Sequence, residues 1–294
     1  MKTLAYWGYS LGWKFIRLLP EASAYRIANR AADYLVKKDG KGVTRLRKNY
    51  ARVRPELTPV HLEALVASGM RSYLRYWIDT FRFPTWSRDR TISTVTVTGE
   101  ELLRSPLANG TGVVVALPHA GNWDHAGAYF CFTGAPLVTV AEHLEPEKLF
   151  QKFLAYRESI GMEVLDLDSR SIAVLAQRAR VGKLVALVAD RDLSASGVPV
   201  DFFGFPARMP AGPALLAIQT GAVLITAFVR YTKTGIHIDF LGPIPVPSSG
   251  TISEKVAVMT QKAADNFAIG LQSHTQDWHM LQRIWVDEDF QERL

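Results

Sequence analysis

The spacing of apolar residues divides the chain into two parts. Up to about residue 90, apolar positions recur at helical spacing and runs of β-branched residues are few, so this part is predicted to be helical. From residue 92 onward, short β-branched runs alternate with helical segments. The run at 92–97 and the run Val113–Leu117, which is followed by a helical segment over Trp123–Phe132, are examples. This alternation predicts an α/β fold, with a sheet covered by helices.

The two parts are predicted to form one unit. The sequence has no internal repeat and no low-complexity linker between them. We therefore predict a single domain over residues 1–294. Its all-helical part, residues 1–90, would pack on an α/β core formed by residues 91–294.

Composition narrows the class of protein. Hydrophobic residues make up 48% of the 294 residues and charged residues 21%, which excludes a largely disordered chain. The single cysteine, Cys131, excludes an internal disulfide, and a reducing compartment is expected. The net charge of +6 favours an anionic partner: a nucleic acid, a membrane surface or a phosphorylated substrate.

Basic residues are concentrated in the helical part. Ten basic residues and only two acidic residues, both aspartates, lie between positions 26 and 54. The basic residues are Arg26, Arg30, Lys37, Lys38, Lys41, Arg45, Arg47, Lys48, Arg52 and Arg54. No nucleic-acid recognition motif accompanies them, so no nucleic-acid partner is expected. Two interpretations stay open, a solvated helical face and attraction to anionic lipid.

The first nineteen residues are predicted to form an amphipathic helix. Leu4, Leu11, Phe15 and Leu18 recur at helical spacing, with Trp7 on the same face, so the helix could lie on a membrane or dock on the core. The segment resembles a signal peptide, but Lys14 and Arg17 interrupt its apolar region and cleavage is not expected.

The main candidate for catalysis follows the apolar strand 113–117. His119 and Asp124 lie in a turn that leads from this strand into a helix, where open α/β sheets place their ligands. Histidine is suited to proton transfer near neutral pH. A carboxylate in the first turn of the helix could orient the imidazole. The sequence therefore predicts His119 as a general base that is held by Asp124.

Other chemistries remain possible. Two Asp-x-Asp triplets, Asp166-Leu167-Asp168 and Asp190-Arg191-Asp192, could hold a divalent metal in a glycosyltransferase. A Gly-x-Ser-x-Gly match at Ser10 lacks the preceding strand that a nucleophile elbow requires. A non-catalytic protein that binds anionic membranes is the alternative from another class.

Several motifs resemble those of a known family. His119-x4-Asp124 resembles the signature of glycerolipid-type and lipid A-type acyltransferases. The following motifs are similar to the late lipid A acyltransferase branch: Asp190-Arg191-Asp192, Val200-Asp201-Phe202-Phe203-Gly204 and Arg208-Met209-Pro210-Ala211-Gly212-Pro213. Other segments resemble, more closely, the phosphatidylinositol mannoside acyltransferases of mycobacteria and related bacteria: 117–124, Thr139-Val140-Ala141-Glu142, Tyr156-Arg157-Glu158-Ser159 and Asp277-Trp278-His279-Met280-Leu281-Gln282.

This resemblance implies a fold, a reaction and a set of residues. The fold would have a central mixed β-sheet flanked by helices. The enzyme would move a long acyl chain, palmitoyl typically, from acyl-CoA to a mannose hydroxyl of a phosphatidylinositol mannoside, without a metal or other cofactor. Its catalytic residues map to His119, Asp124 and Glu142, and its sugar-lipid contacts map to Arg157, Asp190 and His279. It would bind peripherally to the anionic cytoplasmic face of the plasma membrane.

Overall fold

The computed structural model describes residues 12, 15–141, 147–166 and 170–287. Most of the predicted amphipathic helix at the N-terminus therefore lies outside the described residues, as do Ser10, Glu142, Leu167 and Asp168. Residues 15–18 are helical. In the described part of the chain, no helix has both the length and the apolar character needed to cross a membrane.

Helices form the first part of the structure. Their bounds are α1 Glu21–Lys38, α2 Lys41–Val53, α3 Pro59–Arg82 and α4 Arg88–Ser93, with a 3-10 turn at Phe83–Thr85 between the last two. The longest helix, α3, begins where Thr58 caps it by accepting a hydrogen bond from the backbone N–H of His61, with a proline in the first turn. Helix α1 packs against α3, where Ala24 and Ala28 contact Ile78.

A seven-stranded mixed sheet forms the centre of the α/β part. Its strands are β1 Val95–Thr98, β2 Val113–Leu117, β3 Leu137–Ala141, β4 Glu163–Asp166, β5 Leu184–Val188, β8 Val223–Tyr231 and β9 Ile236–Ile244. Their order across the sheet is β1-β9-β8-β2-β5-β3-β4. All neighbours pair in parallel except β8 and β9, which are antiparallel. A separate hairpin pairs β6 Val198–Phe202 with β7 Phe205–Met209.

The remaining helices connect and cover the strands. They are α5 Glu101–Ala108, α6 Trp123–Phe132, α7 Glu147–Ser159, α8 Ser171–Arg180, α9 Gly212–Thr220 and α10 Ile252–Ser273, followed by a 3-10 turn at Thr275–Asp277. The predicted α/β class, with a central mixed sheet and an N-terminal helical region, is confirmed. The prediction of a strand over 92–97 is wrong for residues 92–94: residues 92 and 93 end α4, and Thr94 is a turn before β1 begins at Val95.

The middle of the sheet determines where the site lies. Every residue of β2 is buried, as expected of a parallel strand covered on both faces. Strand β5 pairs with β2 so that Leu117 lies opposite Val188, and the backbone N–H of Ala189 donates to the carbonyl of Leu117 at 2.8 Å. The segments that leave these two strands therefore lie side by side at one edge of the sheet.

Candidate active site

His119 leaves β2 beside Asp190, which leaves β5. Nδ1 of His119 lies 2.6 Å from Oδ1 of Asp190, and the backbone N–H of His119 donates to Oδ2 at 3.0 Å. Asp190 is fully buried, whereas 39% of the His119 side chain is exposed. Because an ionised carboxylate only accepts hydrogen bonds, this geometry places the proton of a neutral imidazole on Nδ1 and leaves a lone pair on Nε2.

Asp190 is held as an anion. Its Oδ2 also accepts a hydrogen bond from Nε1 of Trp278 at 2.8 Å. Burial by itself would raise the pKa of Asp190, but attraction to the imidazolium form of His119 and the hydrogen bonds from His119 and Trp278 outweigh burial. The pKa of the carboxyl therefore lies below its ordinary value. This anion can stabilise a positive charge on the imidazole.

Asp124 has other partners. Its Oδ1 accepts from Nε of Arg157 at 2.9 Å, and its Oδ2 accepts from the hydroxyl of Tyr76 at 2.9 Å. Among the residues that the structure describes, no hydrogen bond joins Asp124 to His119. The carboxylate that orients the imidazole in this geometry is therefore Asp190, and Asp124 forms a buried pair with Arg157.

His279 lies on the other side of the same cluster. Its backbone N–H donates to the carbonyl of His119 at 2.8 Å. Its Nε2 lies 3.0 Å from Oγ of Ser72, and Ser72 donates its own proton to Oδ1 of Asp277 at 2.7 Å. Ser72 must therefore accept a hydrogen bond from Nε2, and, among the residues that the structure describes, Nδ1 of His279 has no hydrogen-bond partner and is left as a buried acceptor. The contact between Ser72 and Nε2 is a hydrogen bond that the N–H of the ring donates.

The protonation of His279 follows from its surroundings. Burial, and then the charge of His119, lower its pKa to about 3, so the ring is neutral at physiological pH. Aromatic rings surround it: Tyr73, Tyr76, Trp123 and Tyr231 all have ring centroids within 6.5 Å. Trp123 also contacts His119, edge to face, at 5.8 Å. The site thus combines an accessible base with a neutral acceptor in an aromatic wall.

Comparison with known proteins shows to which family the chain belongs. The profile described as bacterial lipid A biosynthesis acyltransferase matches residues 1–287. The chain belongs to this acyltransferase family. It is 40% identical over 289 residues to a protein of Mycolicibacterium smegmatis named phosphatidylinositol mannoside acyltransferase, covering 97% of this chain and 93% of that protein. A protein of the same name from Mycobacterium tuberculosis is 39% identical over 290 residues, covering 97% and 90%. The predicted resemblance is confirmed.

The structure of this acyltransferase brings most of the predicted site residues together. His119, Asp190 and His279 are linked by hydrogen bonds through the backbone and side chain of His119. Asp124 and Arg157 form a neighbouring pair, connected to the cluster through Trp123, whose ring stacks on Tyr76 at 4.3 Å. Glu142 lies outside the described residues.

The second Asp-x-Asp triplet, Asp190-Arg191-Asp192, forms no metal cluster with other described residues. Asp190 contacts His119, whereas Asp192 accepts the backbone N–H of Ser194 at 2.8 Å. Within the described ranges, no group of three or more His, Cys, Asp or Glu side chains is arranged to hold a metal ion. Asp168, in the first triplet, lies beyond those ranges.

Sequence reasoning did not find four residues of the site. Tyr76 and Ser72 come from α3, and Asp277 and Trp278 come from the segment after α10. The resemblance included Asp277 and Trp278 within a motif but gave them no role. Nothing in the local pattern marks Ser72 or Tyr76, because their partners lie about 50 to 200 residues away along the chain.

Proposed function

We propose that this chain transfers a long acyl group, of palmitoyl type, from acyl-CoA to a mannose hydroxyl of a phosphatidylinositol mannoside. His119 is the general base of this reaction. The observation that carries the proposal is the hydrogen bond from Nδ1 of His119 to buried Asp190. It leaves Nε2 as the basic atom of a side chain that solvent and substrate can reach.

The proposed reaction needs no enzyme nucleophile. Nε2 of His119 removes the proton of the acceptor hydroxyl while that oxygen attacks the thioester carbonyl. The imidazolium that forms is stabilised by the anion of Asp190. When the tetrahedral intermediate collapses, the carbon–sulfur bond breaks and the CoA thiolate leaves with the proton from the imidazolium. The base is then restored, without a metal or other cofactor.

The choice of acceptor rests on the relatives and on His279. Both relatives are named for phosphatidylinositol mannoside. The buried, unpartnered Nδ1 of His279 suits a sugar hydroxyl, which can donate to it. Arg157 and Asp190 were expected to contact the sugar lipid, but both have their charged groups engaged within the protein. Contact with the sugar is therefore proposed for His279, and an assisting role for Glu142.

We also propose peripheral attachment to the anionic cytoplasmic face of the plasma membrane. Phe15, Leu18, Ile27 and Tyr34 are exposed apolar side chains near the N-terminus. Ile27 and Tyr34 are seven residues apart and so share one face of α1. Several exposed basic residues lie on the same helix: Arg26, Arg30, Lys37 and Lys38. Apolar contact combined with basic charge is typical of interfacial helices.

Activity with defined substrates tests the catalytic proposal. The protein is incubated with radiolabelled palmitoyl-CoA and one of three acceptors: a mannosylated phosphatidylinositol, a lipid A precursor or lysophosphatidic acid. We expect labelled product with the first acceptor, and a loss of about 10²–10⁴-fold in rate for His119→Ala. His61→Ala, which removes an exposed histidine from α3, is the matched control and should keep its activity.

Three results would contradict this proposal. One is a His119→Ala variant with more than half of the wild-type rate. Another is loss of activity in EDTA that manganese restores together with sugar-nucleotide turnover, which would indicate a glycosyltransferase. The third is the absence of both activities despite vesicle binding, which would indicate a non-catalytic membrane-binding protein.

Sedimentation with vesicles of rising phosphatidylinositol content tests attachment. Ile27→Ser should lower partition about tenfold, because it removes an apolar side chain from the interface. Ile172→Ser, which changes an exposed isoleucine on α8, is the control. Binding should weaken as salt rises from 0.1 M to about 0.5 M. Equal binding to neutral and anionic vesicles would refute the contribution of the basic residues.

A further inference from the structure

A cleft lies along α3 next to the catalytic cluster, because Ser72, which bonds to His279, also lines the cleft. It has a volume of about 680 Å³, which is within the range of about 300–1,000 Å³ found for small-molecule sites. Its walls come from α1, α3, the turn between β8 and β9, and the segment after α10. Residues of α3 that line it are Arg71, Ser72, Arg75 and Asp79. Tyr76 of the same helix bonds to Asp124. The cleft and the catalytic cluster therefore lie against one helix.

The carboxylates of the cleft already accept hydrogen bonds from the protein. Three carboxylates line the cleft. Glu21 accepts two hydrogen bonds from Arg90, at 2.7 and 2.8 Å. Asp79 accepts from Tyr25 and lies 3.8 Å from Nε of Arg75. The third, Asp277, accepts from Ser72 and from the backbone N–H of Tyr231. Most of the negative charge in the cleft is thus matched within the protein.

Its donors are not all used. The hydroxyl of Tyr231 and Nε1 of Trp86 are buried side-chain atoms that have no hydrogen-bond partner within the described part of the chain, and both residues line the cleft. Indole N–H can only donate, and a phenol readily donates. Lys233 adds an exposed ammonium at the turn between β8 and β9, and within the described ranges no ion pair involves it. Unsatisfied buried donors call for a partner in the bound state.

From this surplus of donors we infer that the cleft binds a phosphate-bearing headgroup. A phosphate supplies several strong acceptor oxygens and one or more negative charges, which match an indole N–H, a phenol and a lysine. Arg75 adds positive charge at the wall, where its guanidinium donates to the carbonyls of Thr232 and Gly235. This inference goes beyond acyl transfer. Only the choice of an inositol probe rests on the proposed function.

Tyr231→Phe separates a ligand-binding role from a structural one. In the free protein the hydroxyl has no partner, so its removal should leave the thermal midpoint unchanged or slightly higher. In the complex the hydroxyl would donate to a charged oxygen, so binding should weaken about tenfold or more. Lys233→Gln should weaken binding about two- to fivefold. The controls are Tyr34→Phe, an exposed tyrosine on α1, and Lys262→Gln, an exposed lysine on α10.

Titration calorimetry of the full-length protein at fixed ionic strength measures the binding. The probes are inorganic phosphate, coenzyme A, glycerophosphoinositol and neutral myo-inositol. Tightest binding of glycerophosphoinositol, weakened by Tyr231→Phe, supports the inference with a lipid headgroup as the source. Tighter binding of coenzyme A or phosphate with the same sensitivity supports it with a soluble phosphate as the source.

The inference would be overturned if no phosphate probe showed saturable binding, or if Tyr231→Phe and Lys233→Gln left the binding unchanged. Equal affinity for myo-inositol and glycerophosphoinositol would also overturn it, because the phosphate would then contribute nothing. Since no acyl donor is needed for these measurements, the inference can fail while acyl transfer stands, and the reverse also holds.

Discussion

Replacement of Asp190 by asparagine tests how His119 is oriented. One carboxylate oxygen accepts two N–H groups, from the backbone of His119 and from Trp278, at 3.0 and 2.8 Å. The asparagine oxygen must take this place, because the amide NH₂ would oppose both donors. The NH₂ then faces Nδ1 of His119, where the other oxygen lay at 2.6 Å. The substitution therefore reverses the donor in that hydrogen bond and moves the imidazole proton to Nε2.

With its proton on Nε2, the imidazole of His119 cannot act as the base. Nε2 then has no lone pair to take the proton of the acceptor hydroxyl. An imidazolium would also lack the stabilising anion of Asp190. We expect kcat to fall by roughly 10²–10⁴-fold, or about 2.7–5.5 kcal/mol in activation free energy. The KM for acyl-CoA should change much less, because Asp190 is buried. The assay is transfer of labelled palmitate to the mannosylated lipid, with substrate saturation curves for both substrates.

Asp192→Asn is the matched control for this prediction. It makes the same change two residues later, where the carboxylate accepts the backbone N–H of Ser194, an interaction that an amide oxygen can replace. Its activity should stay near that of the wild type. If Asp190→Asn kept kcat within about threefold of the wild type, the orientation of His119 by Asp190 would not be important for the reaction, and the reasoning would be refuted.

Three further substitutions test the surrounding network. Asp124→Asn should lower the free energy of unfolding in urea by about 3 kcal/mol, because it leaves the buried cation of Arg157 without its anion; a change below 0.5 kcal/mol would contradict this. Ser72→Ala should raise the KM for the acceptor more than that for acyl-CoA, because it releases His279; equal effects on both would argue against it. Burial raises the pKa of Asp79 to about 6, so the folded state binds this proton more tightly than the unfolded state, whose pKa is near 3.9. The resulting stabilisation is present in full below the unfolded pKa. It is lost, by about 3 kcal/mol, as the pH rises through 6. The stability of the wild type relative to Asp79→Asn should fall by that amount between pH 4 and 7, and a constant difference in urea titrations would disprove the shift.

The sequence located the site because strand ends are visible in it. The apolar run of β2 predicts a buried strand, and the polar residues after it must lie at the edge of the sheet. The choice between the two aspartates could not be made in this way. Asp124 is five residues from His119 along the chain, but Asp190 reaches it only because β5 inserts between β2 and β3. Strand order depends on packing between distant helices, which periodicity does not encode.

Two elements escaped prediction for local reasons. Residues 92 and 93 look like part of a strand, but Ser87 accepts the backbone N–H of Arg90 and starts a helix that ends at Ser93. The β6–β7 hairpin turns at Phe203 and Gly204, both with positive φ, 56° and 77°. Such turns are usually marked by Asn-Gly or Asp-Gly, and a bulky aromatic residue rarely adopts this conformation. The turn is therefore hard to recognise from its residues.

The boundary near residue 90 that the spacing of apolar residues suggested divides residues of one catalytic cluster between the two parts. Helix α3 supplies Tyr76 to Asp124 and Ser72 to His279. Helix α2 fixes the segment that carries Trp278, since Tyr50 donates to the carbonyl of Trp278 at 2.8 Å. Because Trp278 in turn donates to Asp190, the orientation of His119 depends on α2, a helix that ends more than forty residues before the sheet begins. The helical part is thus a structural component of the site, whatever else it binds.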